Sequence, residues 1–449
     1  MRSNAHPMTD SPTNARLFWF VVALLGVVFF FLEHHVLISR YEAFTPWAEA
    51  AGSQENGRNA LKGLALACVG LFGAGLAVRS VGRPLRFGGW LSAMVLCYVG
   101  WLVASVTWSI DPGMSCRRLF ALSCCLAAAV GLSRRFGPRD VARLAVLVGG
   151  AYAVVGVVAE LALGTFRPWM AEYRFAGTIH PNAQGVLLAT ACLAAFCLAR
   201  SAPRHGRWLW ACFAVGLILL MLTKSRASCA CLAAGLALVW LAEASSRARA
   251  MAVLAAGLML SAVAIVSAFG NDALGDRLLG AVMLGRQEES EGLSGRVPLW
   301  EELWRYVQAR PLQGYGYQAF WTDKHIAEIS DDMEWALREA HNGFLETVLS
   351  VGAVGGVILL AVMAAGLCRA WVGCRAAGDE GMAFLLGLLA FCLTDAWFES
   401  GVPNFTAVLA EIGLVQLMIL RVGEGRTPRP SMGTCECGPT CRRPLAVDA

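Results

Sequence analysis

The stretch Leu17-Phe18-Trp19-Phe20-Val21-Val22-Ala23-Leu24-Leu25-Gly26-Val27-Val28-Phe29-Phe30-Phe31-Leu32 carries no charged side chain, and the expected span reaches Leu37 across Glu33, His34 and His35. A run this long meets the roughly 17–25 residues that an α-helix needs to cross a bilayer, and it exceeds any ordinary strand. Similar runs recur at 61–78, 88–107, 116–132, 141–163, 183–199, 208–222, 227–242, 251–269, 343–367, 382–397 and 403–420. With 57% hydrophobic and 15% charged residues, the chain exceeds the apolar share of about 45–50% found in soluble globules. The expected fold class is all-α: a polytopic membrane protein of about twelve transmembrane helices with one large outer loop.

The expected organisation is an N-terminal cytoplasmic segment over 1–16, nine spans within 17–269, an outer loop over 270–341, three spans within 342–421 and a disordered tail over 422–449. The first apolar run lacks a small-residue cleavage site and reads as a signal anchor. Orientation follows from the sorting of Lys and Arg into short cytoplasmic loops. Arg79, Arg83 and Arg86, then Arg134, Arg135 and Arg139, then Arg200, Arg204 and Arg207, then Arg247 and Arg249, then Arg369 and Arg375 all fall on one side. Both termini are expected on that side. The net charge of +5 reflects this sorting and does not point to nucleic acid.

Against that pattern, Arg167, Arg174, His180, Lys224, Arg226, Arg296 and His341 cluster at the opposite ends of the spans. Acids within or beside spans, Glu160, Asp395, Glu399 and Glu411, are costly in a membrane and call for partners or a function. The sixteen cysteines lie mostly inside spans, where Cys behaves as a small hydrophobe. Cys435, Cys437 and Cys441 in the tail lack an evident fourth ligand, so no metal site is expected. In the outer loop, 299–307 repeats apolar side chains every three or four positions and reads as an amphipathic helix whose tryptophans suit an interface. Arg310-Pro311 ends it, with Arg310 expected to cap it, and Gly314 to Tyr317 form a turn. A second helix is expected from near Asp331 through Arg338 and His341 into the next span.

Several motifs resemble a family. Ser294-Gly295-Arg296 with Trp300, Arg310-Pro311-Leu312-Gln313-Gly314-Tyr315-Gly316, and Ala340-His341-Asn342-Gly343-Phe344-Leu345-Glu346 with Gly352 and Gly355 resemble the outer-loop signature of the bacterial O-antigen ligase and O-antigen and exopolysaccharide polymerase superfamily. Ser105, Trp108-Ser109, Asp111-Pro112, Gly177 with His180-Pro181-Asn182, and Thr223-Lys224-Ser225-Arg226 agree with it. The resemblance covers about 105–356. It implies a multi-pass protein of the bacterial inner membrane with its active site facing the periplasm. The implied reaction moves a saccharide from undecaprenyl diphosphate to an acceptor glycan, either a lipid-linked repeat or the lipid A core, within a polysaccharide assembly complex.

Breaking an anomeric carbon to phosphate bond leaves negative charge on the diphosphate, so such a site needs cations and a base for the acceptor hydroxyl. The resemblance carries the essential His onto His341, with Asn342 or Glu339 to orient it, and Arg226 is the matching choice for the diphosphate. Arg174, His180, Asn182, Lys224, Arg296 and Asn342 are the expected substrate-binding residues. No metal and no cofactor are expected, because the signature offers cations and no carboxylate cluster that would hold magnesium. The alternative is a secondary transporter or flippase of polysaccharide precursors. Against it stand the absence of an evident repeat between the halves and the size of the outer loop. Polymerase and ligase differ only in acceptor, and the 316–321 stretch tilts the reading to polymerisation.

Overall fold

A computed structural model describes residues 12–33, 35, 55–79, 84–85, 87–171, 173–200, 206–252, 254–255, 296–333, 339–400 and 404–419. Among them there are helices and turns but no strand. The helices are α1 Pro12–Leu32, α2 Glu55–Val78, α3 Trp90–Ala104 with a short 3₁₀ turn Ser105–Trp108, α4 Pro112–Arg135, α5 Pro138–Leu163, α6 Pro181–Ala199 and α7 Gly206–Thr223. They continue with α8 Arg226–Glu243, α9 Arg296–Ala309, α10 Asp323–Met333, α11 Gly343–Ala377, α12 Glu380–Asp395 and α13 Phe405–Ile419. Nine of the described helices are long and apolar enough to cross a membrane, and α13 is a shorter apolar helix. The expected span at 251–269 falls outside the described residues beyond 255, as do 270–295, Glu334, Arg338 and the tail cysteines.

The centre of the bundle is α12, in which every residue from Gly381 to Phe391 is buried. Trp19, Phe31, Leu71, Val78, Val154 and Val158 point outward, a surface that hydrocarbon accommodates and water does not. The connections that charge sorted in the sequence lie at opposite ends of the helices. At one end Arg139 pairs with Glu380 at 2.6 Å, Arg200 with Glu243 through a 2.7 Å contact, and Arg375 donates to the Ala242 carbonyl at 2.9 Å. At the other end meet the C-termini of α5, α7 and α12 and the N-termini of α6, α8 and α11.

The amphipathic helix forms as α9 and buries Leu299, Leu303 and Val307 against Tyr315, Phe320, Ala340 and Leu349. Trp304 stays exposed, whereas Trp300 donates to the Ala340 carbonyl at 2.9 Å. Arg310 directly follows α9 and closes it, its backbone N–H donating to the Tyr306 and Val307 carbonyls at 3.3 and 3.2 Å, while its guanidinium lies over the Tyr315 ring, 4.9 Å from the centroid, as a cation–π partner. The second loop helix is α10, earlier than expected, and it does not run into the next span. His341 has a left-handed φ of 49° and lies outside any helix. The reason is local: the Asn342 side chain accepts from the backbone of Phe344 and Leu345, both at 3.0 Å, and starts α11 only at Gly343.

Helix α11 is broken at Gly352, whose φ of 69° and ψ of −179° no side chain would tolerate. The break is filled by the segment after α9. Ala353 donates to Pro311 at 2.8 Å, and Tyr315 donates to Leu349 at 2.8 Å. A Cβ on Gly352 would come within 2.1 Å of the Leu312 carbonyl oxygen. The same segment is stitched to the start of α4: Trp108 donates to Gln313 at 2.9 Å, Tyr317 donates to the Ser105 hydroxyl at 3.0 Å, and Ser115 donates to the Tyr317 carbonyl at 3.1 Å. These contacts explain why Arg-Pro-Leu-Gln-Gly-Tyr-Gly, Ser105, Trp108 and Gly352 occur as one set: freed backbone groups of a broken membrane helix must find partners.

Candidate active site

The site is assembled where α5, α6, α7, α8, α11 and α12 end together. Arg174, on the connection between α5 and α6, donates from Nε to the Thr223 carbonyl at 3.1 Å and from Nη2 to Asn182 Oδ1 at 3.0 Å. Asn182 then donates from Nδ2 to Glu399 Oε1 at 3.2 Å. Its backbone N–H donates to His180 Nδ1 at 3.3 Å, so His180 caps α6, with Pro181 at the first helical position. An accepting Nδ1 leaves the proton of a neutral His180 on Nε2. A polar chain thus runs from the turn bearing Lys224 and Arg226 through Arg174 and Asn182 to the end of α12.

On the far side of Glu399 stands His341. Its Nδ1 is 3.2 Å from Glu339 Oε1, and the ligand atoms of Glu339, His341 and Glu399 all lie within 4.8 Å of one another. Gly343 donates to the Ala396 carbonyl at 2.7 Å, and Ala340 donates to Glu346 Oε2 at 3.2 Å, which holds the His341 backbone between α11 and α12. Arg296, the first residue of α9, donates from Nη1 to the Phe398 carbonyl at 3.1 Å and brings its charge to bear on Glu339, His341 and Glu399 alike. Of the two expected orienting residues Glu339 touches the imidazole, whereas the buried Asn342 caps α11.

Lys224 has a left-handed φ of 53° and donates its ammonium to the Ala171 carbonyl. Arg226 opens α8 directly after Ser225, whose hydroxyl accepts from Ser228 at 3.4 Å as the cap. A cation at a helix N-terminus works against the helix dipole, so Lys224 and Arg226 at this end favour an anion nearby. Arg167 turns to the Gly164 carbonyl at 3.2 Å and closes α5. Asp395 accepts a weak contact from the Cys231 thiol at 3.8 Å, toward α8. Sequence reasoning gave Glu399, near a span end, no role beyond a possible partner for the cationic site; its link to Asn182 crosses 217 residues, and no local pattern encodes that.

Burial, then Arg296 and His180, push His341 down from an ordinary imidazole value to about 4. Burial, then Glu399 and Glu346, push Glu339 up to about 7, partly offset by Arg296. Burial also raises Glu399, against Arg296 and Asn182. The signs give a pH signature for any reaction that uses His341 as base. Its neutral form persists as pH falls below 6.5 and is lost only toward about 4, while Glu339 takes up its proton near 7. The expected rate profile therefore steps down near 7 and falls away toward 4, and Glu339→Gln removes the upper step alone. One inflection near 6.5 in both proteins would contradict this assignment. The donor set of one imidazole nitrogen and two carboxylate oxygens is also one that a divalent transition ion accepts.

The fold and site define a polytopic, all-helical membrane protein with an ionisable cluster at one end of its bundle. Residues 211–360 match the family model described as O-Antigen ligase. The chain is also similar to the exopolysaccharide production protein ExoQ of Rhizobium meliloti (strain 1021), with 25% identity over 276 residues, 58% of this chain and 60% of that protein. The chain thus spans less than two thirds of the relative's length. These comparisons support the O-antigen ligase and polysaccharide polymerase superfamily for this chain, and they do not favour transport. The matched region contains Lys224, Arg226, Arg296, His341 and Asn342; Arg174, His180, Asn182 and Glu399 lie outside it.

Proposed function

We propose that the protein transfers a saccharide from undecaprenyl diphosphate to the hydroxyl of an acceptor glycan, as an exopolysaccharide or O-antigen polymerase or as an O-antigen ligase. The observation that carries this reading is a burial-neutralised imidazole held against a carboxylate, with Arg296 facing both and the Arg174–Asn182 chain leading from it toward Arg226. With Nδ1 of His341 set 3.2 Å from Glu339, the tautomer protonated there leaves Nε2 to accept the proton of the attacking hydroxyl. The hydroxyl oxygen bonds to the anomeric carbon as the bond from that carbon to the phosphate oxygen breaks, and its electron pair leaves with the diphosphate. Arg226, with Lys224, Arg174 and Arg296, stabilises the charge that develops on the phosphate oxygens. His180, Asn182 and Asn342 complete the substrate-binding set. The exopolysaccharide relative favours an exopolysaccharide product.

The site faces the periplasm from the inner membrane in this reading, because the Arg-rich short connections lie at the other end of the helices. Alkaline phosphatase fused within 296–333 is expected to be active, and a cytoplasmic reporter active there would remove the outer site altogether.

Transfer is expected to need no metal, since fixed cations serve the leaving group. The test is transfer by purified protein in proteoliposomes from a defined undecaprenyl diphosphate saccharide, offered a lipid-linked repeat or a lipid A core, with and without a chelator. Chelator-resistant product is expected, and the acceptor used separates polymerase from ligase. No product with either acceptor would overturn the reading. Product lost on chelation and restored by a divalent ion would recast Glu339, His341 and Glu399 as ligands.

A further inference from the structure

We infer that Glu160 is a positioning residue that holds the 173–177 segment, and through it Arg174 and His180, against the bundle; the inference rests on the site proposed above. Glu160 lies one turn from the end of α5 and is 4% exposed. Its Oε1 accepts the backbone N–H groups of Ala176 at 2.9 Å and Gly177 at 2.7 Å, and its Oε2 accepts the Tyr173 hydroxyl at 2.6 Å. An ionised carboxylate makes such bonds shorter and stronger than a neutral acceptor would. This accounts for an acid in an apolar helix that the transfer chemistry does not use.

The surface beneath the segment is shaped for it. Tyr152, Gly156 and Glu160 recur every four residues on one buried face of α5. Gly177, at φ 65°, crosses Gly156 so closely that a Cβ on either would lie 2.8–3.0 Å from the other's Cα. From the opposite side the Phe175 N–H donates to Leu222 at 2.8 Å, and the Arg174 Nε donates to Thr223 at 3.1 Å. Residues 173–177 are therefore clamped between α5 and the turn that leads to Arg226. On the α5 side the hydrogen bonds of that clamp go to one side chain, Glu160.

The test uses full-length protein in proteoliposomes, with donor kcat/KM and hydrogen exchange of the 173–180 peptide as readouts. Glu160→Ala is expected to lower kcat/KM by roughly tenfold or more, mainly through KM, because it strands two N–H groups and frees Arg174. It should speed exchange in 173–180 and not in 339–346. Glu160→Gln, which keeps an acceptor, should restore most of both. Adding Arg174→Ala to Glu160→Ala should cost little more, because both act through the same guanidinium. Full multiplication of the two losses, or Glu160→Ala with unchanged exchange in 173–180, would overturn the inference. If Glu160→Ala does not fold, Tyr173→Phe supplies the same comparison with one bond removed: a kcat/KM loss absent in the Arg174→Ala background supports the inference, and an equal loss in both overturns it. Wild-type transfer by both His341→Ala and Arg174→Ala would instead defeat the functional reading, with the exchange data still deciding what Glu160 holds.

Discussion

His341→Ala is expected to lower saccharide transfer by about 10²–10⁴-fold, the range typical of an acid–base group. Its backbone is held at φ 49°, a region that non-glycine residues seldom occupy, with the chain on either side tied down: Ala340 by Glu346 and Trp300, and Gly343 by Ala396. Strain of this kind, of order 1–3 kcal/mol, is tolerated where surrounding contacts over-determine the geometry. Because the imidazole is neutral well below pH 7, removing it withdraws a base and not a charge. Donor binding should therefore change little. The measurement is single-turnover transfer from a defined undecaprenyl diphosphate saccharide, normalised to folded protein in the membrane. Near wild-type turnover would remove His341 as the base and turn attention to Glu399, Asp395 or His180.

Arg226→Lys is expected to stay impaired, with a loss of about 10²–10³-fold in turnover like that caused by deleting one oxyanion donor. Lys224 already places an ammonium two residues away, so a second point charge adds little that is new. What the substitution would remove is a planar fork able to hold two phosphate oxygens at once. Arg226 also stands at the positive end of the α8 dipole. Donor affinity should fall more in Arg226→Lys than in His341→Ala. A lysine variant with full turnover and affinity would show that charge alone suffices there, and would reassign the leaving-group contact to Arg174 or Arg296.

The sequence by itself determined the long apolar helices among the described residues. Apolar runs of bilayer length are legible because a backbone in hydrocarbon must satisfy its own hydrogen bonds, which leaves one local solution per run. It also determined the sorting of arginines between the two ends, and it marked His341 and Arg226 through their local motifs. Tertiary structure decided the rest. That Gly352 breaks α11 follows from Leu312 and Pro311 arriving from another element, since the run around it reads as an uninterrupted helix. The local pattern around His341 read as helix, yet the Asn342 cap puts it outside α11. The partners of the site lie far apart in the chain: Asn182 bonds Glu399, and Arg174 bonds Thr223. The partners of Glu160, Glu339 and Glu399 are set by which polar groups share their burial. A buried carboxylate is stable only with donors, and three-dimensional packing, which leaves no periodic trace in the sequence, decides which donors it meets.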